Sequence, residues 1–128
     1  MELIVLKGKE NTGKTTTINY VYNELRGKGY KEPDQDKFEN LGKGDFLAIL
    51  EKEDIKLGIN SQGDEVNQIQ KYLRVLENEG CSRAICTLRD TIEENNLLDN
   101  GKNKILKIIE IKSKRGINKG VREILKYL

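Results

Sequence analysis

Residues 8–15 read Gly8-Lys9-Glu10-Asn11-Thr12-Gly13-Lys14-Thr15, and their setting constrains the fold more than any other stretch of the chain. An apolar run, Leu3, Ile4, Val5 and Leu6, precedes them. Behind them Ile18, Val21, Tyr22 and Leu25 fall at i, i+3, i+4 and i+7, the stripe of a helix that packs on a sheet. The order is therefore strand, glycine-rich loop, helix. A chain that begins this way builds an α/β fold, with the helix returning across the face of the sheet.

The loop has a chemistry of its own. Its two glycines let the backbone fold back so that successive N–H groups converge on one anion. A helix opening near Lys14 adds its positive N-terminal end at the same point. In this pattern Lys14 neutralises the β- and γ-phosphates of a nucleotide, and the Thr15 hydroxyl helps to hold Mg²⁺. The expected phosphate-binding residues are Gly8, Glu10, Asn11, Thr12, Gly13, Lys14, Thr15 and Thr16.

With these residues the chain resembles the P-loop NTPase superfamily. The motif covers eight residues, and the strands and helices beyond it are compatible with that fold over most of the chain. No characterised family is assigned. The resemblance implies a bound nucleoside triphosphate with magnesium.

At 128 residues the chain is expected to form one domain, residues 1–128, around a modest core. Its 23 basic and 21 acidic residues are interspersed, and a net charge of +2 gives no reason to expect nucleic acid as a partner. Without Trp, and with only two Phe, it lacks a platform for stacking single-stranded bases. No apolar run approaches the roughly 20 residues that cross a bilayer. The opening Met-Glu-Leu-Ile lacks the basic start of a signal peptide, so a cytoplasmic protein without membrane partners is expected. Cys81 and Cys86 are not spaced as C-x-x-C, and with no histidine they are expected to be reduced packing residues. The missing histidine also excludes His-dependent catalysis within the chain.

The expected strands are 2–7, 46–51, 55–60, 84–88 and 105–111. The first helix ends near Gly27–Gly29. A second carries Val66, Ile69, Leu73 and Leu76 and stops at Gly80, and a short one runs toward Leu98. Asn118 or Gly120 opens a terminal helix with Val121, Ile124, Leu125 and Leu128. Residues 28–45 are polar, contain Pro33, and are expected to form a loop with little regular structure. Only three residues join 46–51 to 55–60, which requires an antiparallel hairpin. The expected architecture is a three-layer α/β/α sandwich with a five-stranded, mostly parallel sheet in the order 2-3-1-4-5 and one antiparallel edge strand. That order resembles the GTPase-and-kinase side of the superfamily. The AAA/RecA side inserts a further parallel strand, for which the sequence leaves no room before Ile55.

Three segments are expected at the carboxyl ends of the strands, where ligands of open α/β sheets bind. In Asn60-Ser61-Gln62-Gly63-Asp64, the resemblance to the D-x-x-G pattern of GTPases puts Gly63 against the γ-phosphate. Asn60 stands where that pattern has aspartate, so Asp64 is the candidate for both metal and catalysis, with Ser61 and Gln62 secondary. Either Ser61 or Asp64 could equally cap the following helix. In Thr87-Leu88-Arg89-Asp90-Thr91, Arg89 is a candidate for stabilising developing phosphate charge, or a surface partner of Asp90. In Lys112-Ser113-Lys114-Arg115-Gly116, Arg115 is placed to stack on a base, and the lack of an N/T-K-x-D acid favours ATP over GTP. The loop 28–45 contributes Asp34, Asp36, Glu39 and Asp45 as acids for a metal or partner, or as a solvated linker.

Three functions remain open on the sequence. The first is a Mg²⁺-dependent ATP (NTP) binder with slow hydrolysis, a nucleotide-gated module with Lys14, Asp64 and Arg89 as catalytic candidates. The second is a phosphotransferase acting on a small acceptor. The third is a non-enzymatic subunit of a larger assembly. A protein partner or a homo-oligomer is compatible with each.

Overall fold

The computed structural model describes residues 1–33 and 39–128. It comprises β1 (Glu2–Gly8), α1 (Lys14–Gly27), β2 (Glu39–Gly42), β3 (Asp45–Lys52), β4 (Ile55–Asn60), α2 (Val66–Asn78), β5 (Arg83–Arg89), β6 (Lys104–Glu110) and α3 (Ile117–Leu125). Short 3₁₀ turns cover Glu94–Leu97 and Lys114–Gly116.

Alternation along β1 sets the layers, because successive side chains of a strand point to opposite faces. Ile4 and Leu6 join Ile18, Val21 and Leu25 of α1 and Ile124 of α3 in one core cluster. Leu3 and Val5 join Ile69, Leu73 and Leu76 of α2 in the other. Helices thus cover both faces of one mixed sheet. The stripes expected of α1 and α2 are buried at these positions, apart from the half-buried Tyr22 and Val66.

The sheet has six strands in the order β2-β3-β4-β5-β1-β6. β4, β5, β1 and β6 run parallel, while β3 is antiparallel to both β4 and β2. This corrects the expected order 2-3-1-4-5. The segment expected as strand 84–88 lies between β4 and β1, so the adjacency that suggested a GTPase-and-kinase arrangement is absent. The strand beside β1 on that side thus comes from beyond Ile55. Burial explains the choice. Between Arg83 and Arg89 the strand carries no charge, and Ala84, Ile85, Cys86, Thr87 and Leu88 are all fully buried. Such a strand needs neighbours on both sides and cover on both faces. β6 instead carries Lys104, Lys107 and Glu110, leaves Ile108 exposed, and takes the edge.

A second correction concerns residues 28–45. Glu39–Gly42 forms β2, outside the antiparallel strand that was expected at the edge, and Lys31 bridges to Glu51. Lys43 (φ 54°) and Gly44 (φ 83°) supply the left-handed backbone of a two-residue hairpin loop. Glu53 (φ 52°) and Asp54 (φ 66°) do the same between β3 and β4, giving the antiparallel hairpin that the short connection required. α3 begins at Ile117, ahead of both expected starts, and Gly120 lies buried inside it.

Among the described residues no helix is long and apolar enough to cross a membrane. Cys81 and Cys86 are free and buried. Burial pushes the Cys81 thiol up to about 11 and the Cys86 thiol to about 12. Because the thiolate is the nucleophile, alkylation by iodoacetamide near neutral pH should run about 100-fold slower in the native protein than in denaturant. Mass spectrometry of partially alkylated protein checks this, and rapid native labelling of Cys86 would contradict the packing described.

Candidate functional site

The glycine-rich loop lies at the carboxyl end of β1, an interior strand between β5 and β6. Its reversal depends on left-handed backbone at Asn11 (φ 61°) and at Gly13 (φ 100°), where α1 begins. A β-carbon at Gly13 would lie 2.8 Å from the Ile117 side chain, so both conformation and space call for glycine. Lys14 curls over the loop it terminates. Its Nζ donates to the carbonyls of Gly8 (2.8 Å) and Lys9 (2.7 Å), and only 9% of the residue is exposed. Burial holds its pKa below the usual lysine range, against the opposing pull of Asp64. Thr12 is turned inward and donates to the Lys9 carbonyl at 2.8 Å.

Beside the loop is a cavity of about 390 Å³. Gly13, Lys14, Thr15, Thr16, Asp45, Ser61, Gly63 and Asp64 line it. Glu10, Asn11, Lys43 and Lys114 complete the lining. A separate cavity of about 430 Å³ borders Gly8 and Lys9 together with Asp90 and Glu110, but Lys14 and Thr15 do not line it. The smaller cavity therefore holds the chemistry.

Thr15 and Asp45 meet at this cavity. The Thr15 hydroxyl donates to Asp45 Oδ1 at 3.1 Å, and the Ser61 hydroxyl lies 3.3 Å from the same oxygen. Ser61 is itself fixed, since its Oγ accepts from the Phe46 amide at 2.8 Å and its carbonyl accepts from Thr87 Oγ1 at 2.8 Å. Burial raises the Asp45 pKa above the usual carboxylate range, and the two hydroxyls partly offset it.

Asp64 stands elsewhere on the rim. Its carboxylate pairs with Arg89 Nη2 at 3.3 Å, and the same nitrogen lies 3.6 Å from Glu10 Oε2. The structure thus brings Lys14, Thr15, Gly63, Asp64, Glu10 and Asn11 to one cavity, with Arg89 bound to its rim. Asn60 is fully buried, and its side chain bonds to the backbone of Gln62, as acceptor and as donor, both at 3.0 Å. Thr87 serves as a strut under Ser61. Arg115 is exposed, and its neighbour Lys114 lines the cavity instead. Glu39 is an exposed residue of β2, whereas Asp34 and Asp36 lie outside the described residues.

The residue that sequence reasoning undervalued is Asp45, grouped there with the loop acids. Its signal was Gly42-Lys43-Gly44 directly before an apolar run, a turn that returns the chain to the sheet at Asp45. Among the described residues no three Asp, Glu, Cys or His side chains gather to hold a metal. The groups around Thr15 are hydroxyl and carboxylate oxygens, which suit Mg²⁺, an ion usually held by one or two carboxylates plus substrate phosphates. Comparison with protein-family models, curated proteins and solved structures finds no match to this chain.

Proposed function

We propose that the chain binds ATP, or another nucleoside triphosphate, with Mg²⁺ in the 390 Å³ cavity and hydrolyses it slowly as a nucleotide-gated cytoplasmic module. The observation that carries this reading is the loop itself. The G-x-x-x-x-G-K-T residues run from an interior strand into a helix N-terminus, with Lys14 Nζ drawn onto the carbonyls of Gly8 and Lys9 beside a polar cavity. Lys14, the loop amides and the N-terminus of α1 are the groups that would meet the phosphates. Magnesium would neutralise charge on the β- and γ-phosphates, and Thr15, which lines the cavity, would help to hold it.

The proposed gating rests on what surrounds the cavity. Asp64, which could orient an attacking water, is engaged by Arg89. An incoming γ-phosphate would compete for Arg89 and free that carboxylate, which gives the proposed gate a physical basis. With β5 between β4 and β1, the likeness to the GTPase-and-kinase side is not retained. The Lys112–Gly116 segment offers no acid for a guanine edge, which supports ATP.

Single-turnover mixing with γ-labelled ATP tests the proposal. Phosphate should pass to water at a rate on the order of 10⁻³ s⁻¹, as for unassisted nucleotide switches. Transfer to an added nucleoside or nucleotide without release to water would establish a phosphotransferase instead. Absence of ATP binding by calorimetry would leave the non-enzymatic subunit.

A further inference from the structure

We infer that the carboxylate serving magnesium in this cavity is Asp45, delivered by the antiparallel strand β3, and not Asp64. The inference rests on reading the cavity as a site for a magnesium–nucleotide. It names the protein group that completes that site.

Their partners distinguish the two acids. Asp45 Oδ1 lies 3.1 Å from the Thr15 hydroxyl, while the Asp64 carboxylate is held by Arg89 at 3.3 Å. Among the described residues Asp45 forms no ion pair with Lys or Arg, and its hydrogen-bonding partners there are two hydroxyls. A part-buried carboxylate held only by neutral donors has unused affinity for a cation. The oxygen set of Thr15, Asp45 and Ser61 suits a hard divalent ion.

Topology explains why the acid comes from an unusual place. In a parallel strand the last residues reach the ligand-binding edge, and in β4 that position is Asn60, closed on its own turn. β3 runs the other way, with Leu47 paired to Asn60, so its first residue reaches the same edge. The Lys43–Gly44 turn then sets this strand end against α1. A β-carbon built on Gly44 would lie 3.8 Å from Thr15 Cγ2. Ser61 ties the end of β4 to the start of β3 through the Phe46 amide and Asp45.

The test is calorimetric titration with the non-hydrolysable adenosine 5′-(β,γ-imido)triphosphate, in magnesium and in EDTA. Magnesium should tighten binding to the unmodified protein by about tenfold or more, as the largest local charge in the site. Asp45→Asn should lose that gain while keeping its affinity in EDTA, which also shows that the variant is folded. Asp64→Asn should keep the gain. If Asp45→Asn does not fold, Asp45→Ala and Asp45→Glu are read by the same pair of titrations, with the gain lost in the former and partly kept in the latter. Manganese in place of magnesium adds a spectroscopic readout, with broadening of its resonance in the ternary complex absent from Asp45→Asn. Retention of the full metal effect in Asp45→Asn, or its loss in Asp64→Asn alone, overturns the assignment. An unmodified protein that binds the analogue in neither buffer would instead remove the nucleotide reading beneath it.

Discussion

Lys14→Ala should weaken ATP binding by about 3 kcal/mol, on the order of 100-fold in Kd, and leave the fold almost intact. The large effect comes from charge. A buried ammonium donating to phosphate oxygens makes charge-assisted hydrogen bonds in a site shielded from water, and alanine leaves the polyanion with the loop amides alone. The small effect on stability follows from the partners that remain. Without Lys14, the Gly8 carbonyl still accepts from the Asp90 amide at 3.0 Å. The Lys9 carbonyl still accepts from Thr12 Oγ1 at 2.8 Å. Neither oxygen is orphaned, so the usual cost of an unsatisfied buried group does not arise. Calorimetric titration beside thermal unfolding separates the two quantities. An unchanged Kd would remove the phosphate role of the loop.

Gly63→Ala should do the reverse, lowering stability by about 3 kcal/mol through overpacking. For a domain of this size that is a fall on the order of 10 °C in Tm. A β-carbon on Gly63 would lie 2.4 Å from the Thr87 carbonyl oxygen and 2.5 Å from its carbon. These are backbone atoms of β5, buried on both faces, and they cannot swing aside as a side-chain tip would. Gly63 is also tied to β5 by its carbonyl, which accepts from the Arg89 amide at 2.8 Å. Relief therefore requires the 61–64 segment to lift from the sheet, taking Ser61 away from Asp45 and Asp64 away from Arg89. Thermal unfolding followed by circular dichroism gives the answer, and an unaltered Tm would show that this contact is looser than described. The resemblance to GTPases read this glycine as a contact for phosphate. Its close approach to Thr87 is reason enough for glycine, whatever else its amide does.

The elements were largely legible because each is encoded by neighbours in sequence. The loop and the helix behind it, the stripe Ile69, Leu73 and Leu76, and the short link Lys52-Glu53-Asp54 are all local signals. β2 was missed because Glu-Asn-Leu-Gly has neither alternation nor apolar content, and it forms only by pairing with β3. At the site, Lys14 and Thr15 were legible for the same local reason. Asp45 was not, because the Gly42-Lys43-Gly44 turn signals only a return to the sheet, and tertiary packing alone sets the start of β3 against α1.

The sequence by itself determined an α/β chain with one glycine-rich loop entering a helix, and it determined which face of each helix is apolar. Those features depend on backbone preferences and on periods of two and 3.6, which act over a few residues. Only the tertiary structure decided the strand order and which acid stands beside Thr15. Burial made those choices. The charge-free strand Ala84–Leu88 needed cover on both faces and took the place between β4 and β1, while the charged β6 was left at the edge. With β3 antiparallel, Asp45 came to the cavity, and Asp64 was left to its ion pair with Arg89.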